Sequence, residues 1–326
     1  MTLSRRTLLA SAASALAFAT APSFAQDSFP NKPIRIVVPF SAGGIVDSIA
    51  RAIGDKLSTR YGQAVIVENK AGAGGAIGTD LVAKSAPDGY TLLLVSPGYA
   101  VIPSLQKNVS WNPVRDFKSV AGIGVVPNII VVHPSVEANT LPELIALAKK
   151  RSAPVTYGTA GIGTSNHLAG ELLAQEAGIK LTHVPYKGQP DALNDLLTGR
   201  VDMMPLTAAL AMQHVKAGKL RPLAVTTAKR ASAAPELPTV AEAAKLPNYD
   251  VGTWFGLVAP AKVPEPVMRK LSADVAAVLA MPDMKAKFDT LGMEFAPQSG
   301  AEFDALVSSE FTRWSRVIKQ AGIEPQ

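Results

Sequence analysis

Two short stretches gather the residues best suited to chemistry. The first is Ser41-Ala42-Gly43-Gly44-Ile45-Val46-Asp47, and the second is Thr159-Ala160-Gly161-Ile162-Gly163-Thr164-Ser165, followed closely by His167. Neither contains a lysine, arginine or cysteine. What they share is glycine placed just before a helix start. The first N–H groups of a helix have no internal acceptor and stand at the positive end of its dipole. Glycine lets an anion approach those groups without a Cβ in the way. The chemistry expected is therefore capture of an anion by backbone donors. Thr164 and Ser165 carry hydroxyls that can cap the helix or donate to a ligand. Asp47 suits the first helical turn whether or not a ligand is present, so it is either a cap or a pocket group. His167 reads as a packing or capping histidine, and His133, His183 and His214 lack metal-ligand spacing.

Each loop needs a strand to deliver it and a helix to follow it. Apolar runs predict strands near 34–39 (IRIVVP), 64–68, 91–95, 128–133, 154–158 (PVTYG), 181–185, 221–226 and 254–258. Continuous Val/Ile/Leu runs suit strands buried on both faces, and alternation with helices implies parallel pairing. The fold class is α/β. Ile45, Ile49, Ile53 and Leu57 fall on one helical stripe. Thr140 with Glu143 and Ser299 with Glu302 have capping-box spacing. A last helix over 300–320 presents Phe303, Leu306, Val307, Phe311, Trp314 and Ile318 for docking on a lobe. Ligands in open parallel sheets sit beyond the carboxyl ends of strands. That is where strands 34–39 and 154–158 deliver the two loops. One glycine turn alone is equally what a plain tight connection looks like. Two of the same layout suggest a pair of jaws, one per lobe, facing each other across a cleft.

The chain ends set the compartment. Residues 1–25 read as an export signal: Arg5 and Arg6, an apolar run from Leu8 to Ala21, then Ser23-Phe24-Ala25 as a cleavage site. The stretch SRRTLLA resembles a twin-arginine signal, and the run is shorter than the roughly 20 residues that span a bilayer. Removing the two arginines lowers the formal net charge from +6 to +4. The remaining charges are scattered, which argues against a nucleic-acid footprint. The chain has no cysteine, so it offers no disulfide framework, thiol nucleophile or cysteine metal site. A periplasmic monomer without cofactor or metal is expected. The 326 residues suffice for two lobes of roughly 150 residues each.

The stretches NKPIRIVVPFSAGGIVDSIAR, VIVENKAGAGGAIGTDLVAKSAPDGYTLLL, YGTAGIGTSNHLAGELL, VPYKGQPDALNDLLTGRVDMM, VKAGKLRPLAVTT and GLVAPAKVP together resemble the Bug receptors. These are the extracytoplasmic substrate-binding components of tripartite tricarboxylate transporters. The resemblance covers nearly all of the mature chain. It implies a two-lobed periplasmic binding fold of the type II, Venus-flytrap kind, with a parallel-rich sheet in each lobe. Lobe 1 would comprise 26–126 and 250–326, and lobe 2 would comprise 127–249. It also implies capture of a small carboxylate, partnership with membrane permease subunits, and ligand contacts made mainly by backbone N–H groups from Ser41 to Asp47 and from Thr159 to Ser165.

The ligand-binding set expected is thus Ser41, Ala42, Gly43, Gly44, Ile45, Asp47, Ser96, Thr159, Ala160, Gly161, Gly163, Thr164, Ser165 and Pro205. Many relatives carry small or polar residues where this chain has Ile45 and Val46, and acidic or amide residues near Pro205, Leu206 and Thr207. An apolar far wall would favour an aromatic or alkyl dicarboxylate over citrate. Enzymatic readings lack their motifs. The run Gly72-x-Gly74-x-x-x-Gly78 misses the dinucleotide pattern, and neither a P-loop nor a nucleophile elbow occurs. Two rivals stand beside the receptor: an exported hydrolase or lyase using Asp47 or His167 as base, and a sensor subunit that presents ligand to a signalling partner.

Overall fold

The structure, a computed structural model, describes residues 29–186, 188–320 and 325. The expected export signal, 1–25, lies outside them. Ten strands and eleven helices are seen among the described residues. The strands are β1 (Ile34–Val38), β2 (Val65–Asn69), β3 (Thr91–Val95), β4 (Phe117–Val132), β5 (Val155–Thr159), β6 (Leu181–Pro185), β7 (Met203–Thr207), β8 (Arg221–Val225), β9 (Gly252–Pro260) and β10 (Glu294–Ser299). The helices are α1 (Ile45–Tyr61), α2 (Ala76–Ala83), α3 (Gly98–Leu105), α4 (Leu141–Lys150), α5 (Ser165–Ala177), α6 (Gln189–Leu197), α7 (Ala208–Lys216), α8 (Val240–Ala244), α9 (Glu265–Leu279), α10 (Pro282–Asp289) and α11 (Gly300–Gln320).

Strands run in the order β2-β1-β3-β9-β4-β7-β5-β6, with β8 and β10 also paired to β4. The two outer groups are parallel: β1 with β2 and β3, and β5 with β6 and β7. Around β4 and β9 the pairing is antiparallel. The expectation of a separate sheet in each lobe is modified by β4. This strand pairs β9 as far as Pro127↔Gly252, then pairs β7 from Asn128↔Thr207 onward, so one hydrogen-bonded path links both groups. The chain crosses between the groups within β4 and at the start of β9.

The apolar runs of β1, β3 and the second half of β4 are buried on both faces, as their composition demands, whereas the edge strand β2 leaves Ile66 exposed. Ile34, Ile36 and Val38 of β1 pack with Ile49, Ile53 and Leu57 of α1, while Val37 points to the other face with Leu93, Tyr99 and Phe303. The second group repeats the design. Ile130 and Val132 pack under α4 and α5, and Ile129 and Val131 pack against α6 residues Leu193 and Leu196. The last helix does not dock on a single group as expected. Phe303 and Val307 join the first group's core, whereas Trp314 and Ile318 join the second's, beside Val101 and Leu105 of α3. Seryl hydroxyls of Ser104 and Ser315, 2.8 Å apart, add to the α3–α11 contact. Thr140 and Ser299 accept from Glu143 and Glu302 N–H as their spacing predicts, and Thr239 with Glu242 forms a further capping box.

Candidate functional site

β1 ends in Pro39-Phe40 and releases an exposed Ser41–Gly44 loop before α1 begins. Gly43 has φ +83°, a left-handed conformation that glycine adopts without strain. Its N–H donates to Asp47 Oδ2 at 2.9 Å. Asp47 also receives Arg51 Nε at 3.0 Å, while Asn69 Nδ2 donates to its Oδ1 at 3.0 Å. The side chain is only 4% exposed. Burial alone raises its pKa, but the hydrogen bonds from Arg51, Gly43 and Asn69 outweigh burial and leave it below the usual carboxylate value. Both Asp47 oxygens are therefore engaged in holding the loop. No side chain caps α1, so the N–H groups of Ile45, Val46 and Asp47 have no intrahelical acceptor.

The second loop repeats this geometry. Gly163 has φ +81°, and its N–H donates to His167 Nδ1 at 3.2 Å. Gly43 and Gly163 each stand one residue before the N-cap, and Asp47 and His167 each occupy the third helical position. Thr164 was expected either to cap α5 or to meet ligand, but its hydroxyl turns back to Gly161 O at 2.7 Å and caps nothing. Thr159 Oγ1 accepts from Gly161 N–H at 3.1 Å and lies 2.7 Å from His183 Nε2. Ser165 Oγ sits 2.6 Å from Thr253 Oγ1 and receives Asn128 Nδ2 at 3.4 Å. Every hydroxyl of the second loop has an internal partner, and the free donors of the α5 start are backbone N–H groups. Asp47 and His167 thus each spend a basic atom on the glycine N–H of their own loop.

A buried polar chain ties the second loop to the crossing strands. Asn128 of β4 is 0% exposed and bonds both Ser165 and Asn166, while Asn166 Nδ2 donates to Pro205 O on β7. Thr253 belongs to β9, so the α5 start is fixed to both strands that link the groups. This tie pairs residues as far apart as Ser165 and Thr253, and no local pattern signals it.

Other expected residues fall as follows. Ser96, buried at the end of β3, lines a space of about 10 Å3 with Phe40, Gly74, Gly75 and Ile102, about the room of one water. Ala160 lies half-buried beside Gly161. Ile45 packs partly against the first core, and Val46 lies within it. Pro205 is buried in β7 with its carbonyl engaged by Asn166. Val46 and Pro205, expected on an apolar wall, are both buried, and the exposed apolar side chain beside the second loop is Ile162, at 45% exposure. The Gly72–Gly78 run, which sequence reasoning set aside, packs between the two loops. A Cβ on Gly75 would touch Pro39 and Phe40, one on Gly74 would meet Ile162 O at 3.5 Å, and one on Gly78 would stand 2.9 Å from Lys70 O. The density of glycines after β2 is the signal that could have flagged this contact.

The family described as "Tripartite tricarboxylate transporter family receptor" matches residues 49–323. A curated relative from Pseudomonas sp. (strain P51), the "UPF0065 protein in tcbD-tcbE intergenic region", is 39% identical, covering 97% of this chain and 94% of its own. Among solved structures, "R. palustris Rpa4515 with adipate" superposes with a TM-score of 0.81 at 36% identity, covering 91% of this chain and 100% of that one. "MatC (Rpa3494) from Rhodopseudomonas palustris with bound malate" gives 0.77 at 30% identity, covering 89% and 100%.

Proposed function

Because the chain belongs to the tripartite tricarboxylate transporter receptor family of solute-binding proteins, we propose that it captures a small dicarboxylate between the Ser41–Asp47 and Thr159–Ser165 loops. It would do so in the periplasm and pass the ligand to the membrane permease of such a transporter. The observation that carries this reading is the pair of matching glycine loops, each opening on a helix start with no side-chain cap. Hydrogen bonds to a charged group contribute about 1.5–3 kcal/mol each, so three or four sum to about 4.5–12 kcal/mol, a range that spans the roughly 8 kcal/mol of micromolar binding. Two lobes divided near 126/127 and 249/250 would close on the ligand, with β4 and β9 bending and α11 resisting. An alkyl dicarboxylate is favoured over a tricarboxylate. Ile162 and the outer part of Ile45 offer apolar surface beside the loops, where a third carboxylate would lose water without a partner. The similarity to an adipate-bound protein agrees with that preference.

Calorimetry on the mature protein with adipate, malate, citrate and benzoate tests the reading. Adipate or malate should bind at micromolar strength and raise the melting temperature. Tighter binding of citrate than of adipate refutes the apolar preference, and failure of every acid in the panel refutes carboxylate capture.

A further inference from the structure

The two loops are copies in backbone but not in charge. At equivalent third helical positions, the acceptor for the glycine N–H is a carboxylate in one loop and an imidazole in the other. An anion at a helix start offsets the positive end of the dipole. Asp47 therefore already occupies part of the field that α1 offers, and Arg51 pairs with it from a half-exposed position. At α5 nothing comparable stands in the first turn. Since His167 Nδ1 receives the Gly163 N–H, its lone pair is in use and a neutral ring carries its proton on Nε2, which lies 3.8 Å from the Glu171 carboxyl.

A second layer enforces this state. His183 Nε2 stands 2.7 Å from the Thr159 hydroxyl, which also accepts from Gly161 N–H. The two imidazoles lie 4.4 Å apart, and Tyr157 stacks on His183 at 5.0 Å while its phenol bonds Glu171. Tyr157 from β5, Glu171 from α5 and His183 from β6 are the titratable groups facing His167. Burial pushes His167 down to about 4, and burial with the neighbouring His167 does the same to His183. The Gly163 N–H is thus aligned by the His167 imidazole itself, and the Gly161 N–H by the Thr159 hydroxyl that contacts His183.

We propose that His167 is the positioning residue of the second loop: as a neutral acceptor it shapes the Gly161–Thr164 backbone while leaving the α5 start free of fixed negative charge, so that this loop, not the first, takes the main share of a ligand carboxylate. The inference rests on the carboxylate-receptor reading above.

The test exploits two nearly isosteric replacements. His167→Asn keeps a neutral acceptor for Gly163 and should bind adipate or malate within about threefold of the parent. His167→Asp copies the first loop's acceptor but adds a negative charge in the first turn of α5, which should weaken binding about tenfold to a hundredfold at neutral pH. A purely structural role would treat the two alike at matched melting temperatures. Equal losses in Asn and Asp variants, or an Asp variant that binds like the parent, overturn the proposal. Should either variant fail to fold, nitrogen-15 imidazole shifts of the parent protein decide: a neutral Nε2–H ring from pH 5.5 to 8 is expected, and a charged or Nδ1–H ring overturns it. Failure of the parent to bind either acid would instead remove the receptor reading and the ligand half of this inference, leaving the ring's measured state as a separate result.

Discussion

Replacing Gly44 by valine, beside Gly43 by alanine, separates the first loop's role in binding from its role in folding. Gly44 has φ −78° and ψ 173°, which any residue adopts, and a Cβ there would meet only Ser41 O at 3.7 Å. Losing an N-cap glycine costs up to about 1 kcal/mol, and the restricted unfolded chain returns about 0.4–1 kcal/mol. The melting temperature should therefore move by no more than about 2 °C. Binding has no such compensation. A branched side chain over the Ile45 and Val46 N–H groups removes one or two charge-assisted bonds of about 1.5–3 kcal/mol each, or about one to two decades of affinity per bond. Gly43→Ala should show the reverse emphasis: its Cβ meets nothing within 4 Å, but φ +83° costs a non-glycine residue about 1–2 kcal/mol. The assays are thermal melts without ligand and calorimetric titration with adipate and malate. If Gly44→Val loses stability and affinity in parallel, or keeps full affinity, the loop is a turn and not a cradle.

Stability should also fall in acid. His167 and His183 are depressed from 6.5 to about 4 in the folded state, so the unfolded chain takes up protons first, and the contribution present above pH 6.5 is lost as pH drops toward 4. Each histidine accounts for at most about 3 kcal/mol, and denaturant midpoints at pH 7.5 and 4.5 measure it; His167→Asn should flatten the dependence. Trp314→Ala removes a side chain 1% exposed whose indole N–H donates to Glu310 at 2.9 Å. It should cost about 3–5 kcal/mol and keep one unfolding transition, because α11 joins both cores; two separated transitions would show that the helix does not couple them. Ile162→Ser should weaken adipate about fivefold while sparing malate, since about 40 Å2 of apolar contact at 25 cal/mol per Å2 is near 1 kcal/mol. An unchanged adipate-to-malate ratio in calorimetry removes Ile162 from the site.

Much of the framework was legible because its signals are local. The Val/Ile/Leu runs of β1 and β3 state that both faces are covered, the Ile49–Ile53–Leu57 stripe states where α1 packs, and Gly43 and Gly163 mark the turns that need left-handed backbone. What remained hidden depended on distant partners. The first half of β4 holds Gly122, Gly124 and Pro127 and reads as a loop; it becomes strand because β9 and β10 pair with it, and those glycines are required where Gln298, Phe303 and Glu294 approach closely. β7 was missed because Pro205 argues against a strand, yet its ladder to β5 is seen only at Tyr157↔Met203, so the missing donor breaks little pairing.

The candidate site divides in the same way. The sequence by itself determined that two helix starts would present backbone donors, since that follows from glycine and the helix dipole alone. Only the tertiary structure decided which side chains remain available to a ligand. Asn69 and Arg51 engage Asp47, Thr253 engages Ser165, and His183 engages Thr159, each brought in from another element. A hydrogen-bonding group tells in sequence only what it can bond, and its partner is chosen by packing, which places residues 88 positions apart within 2.6 Å.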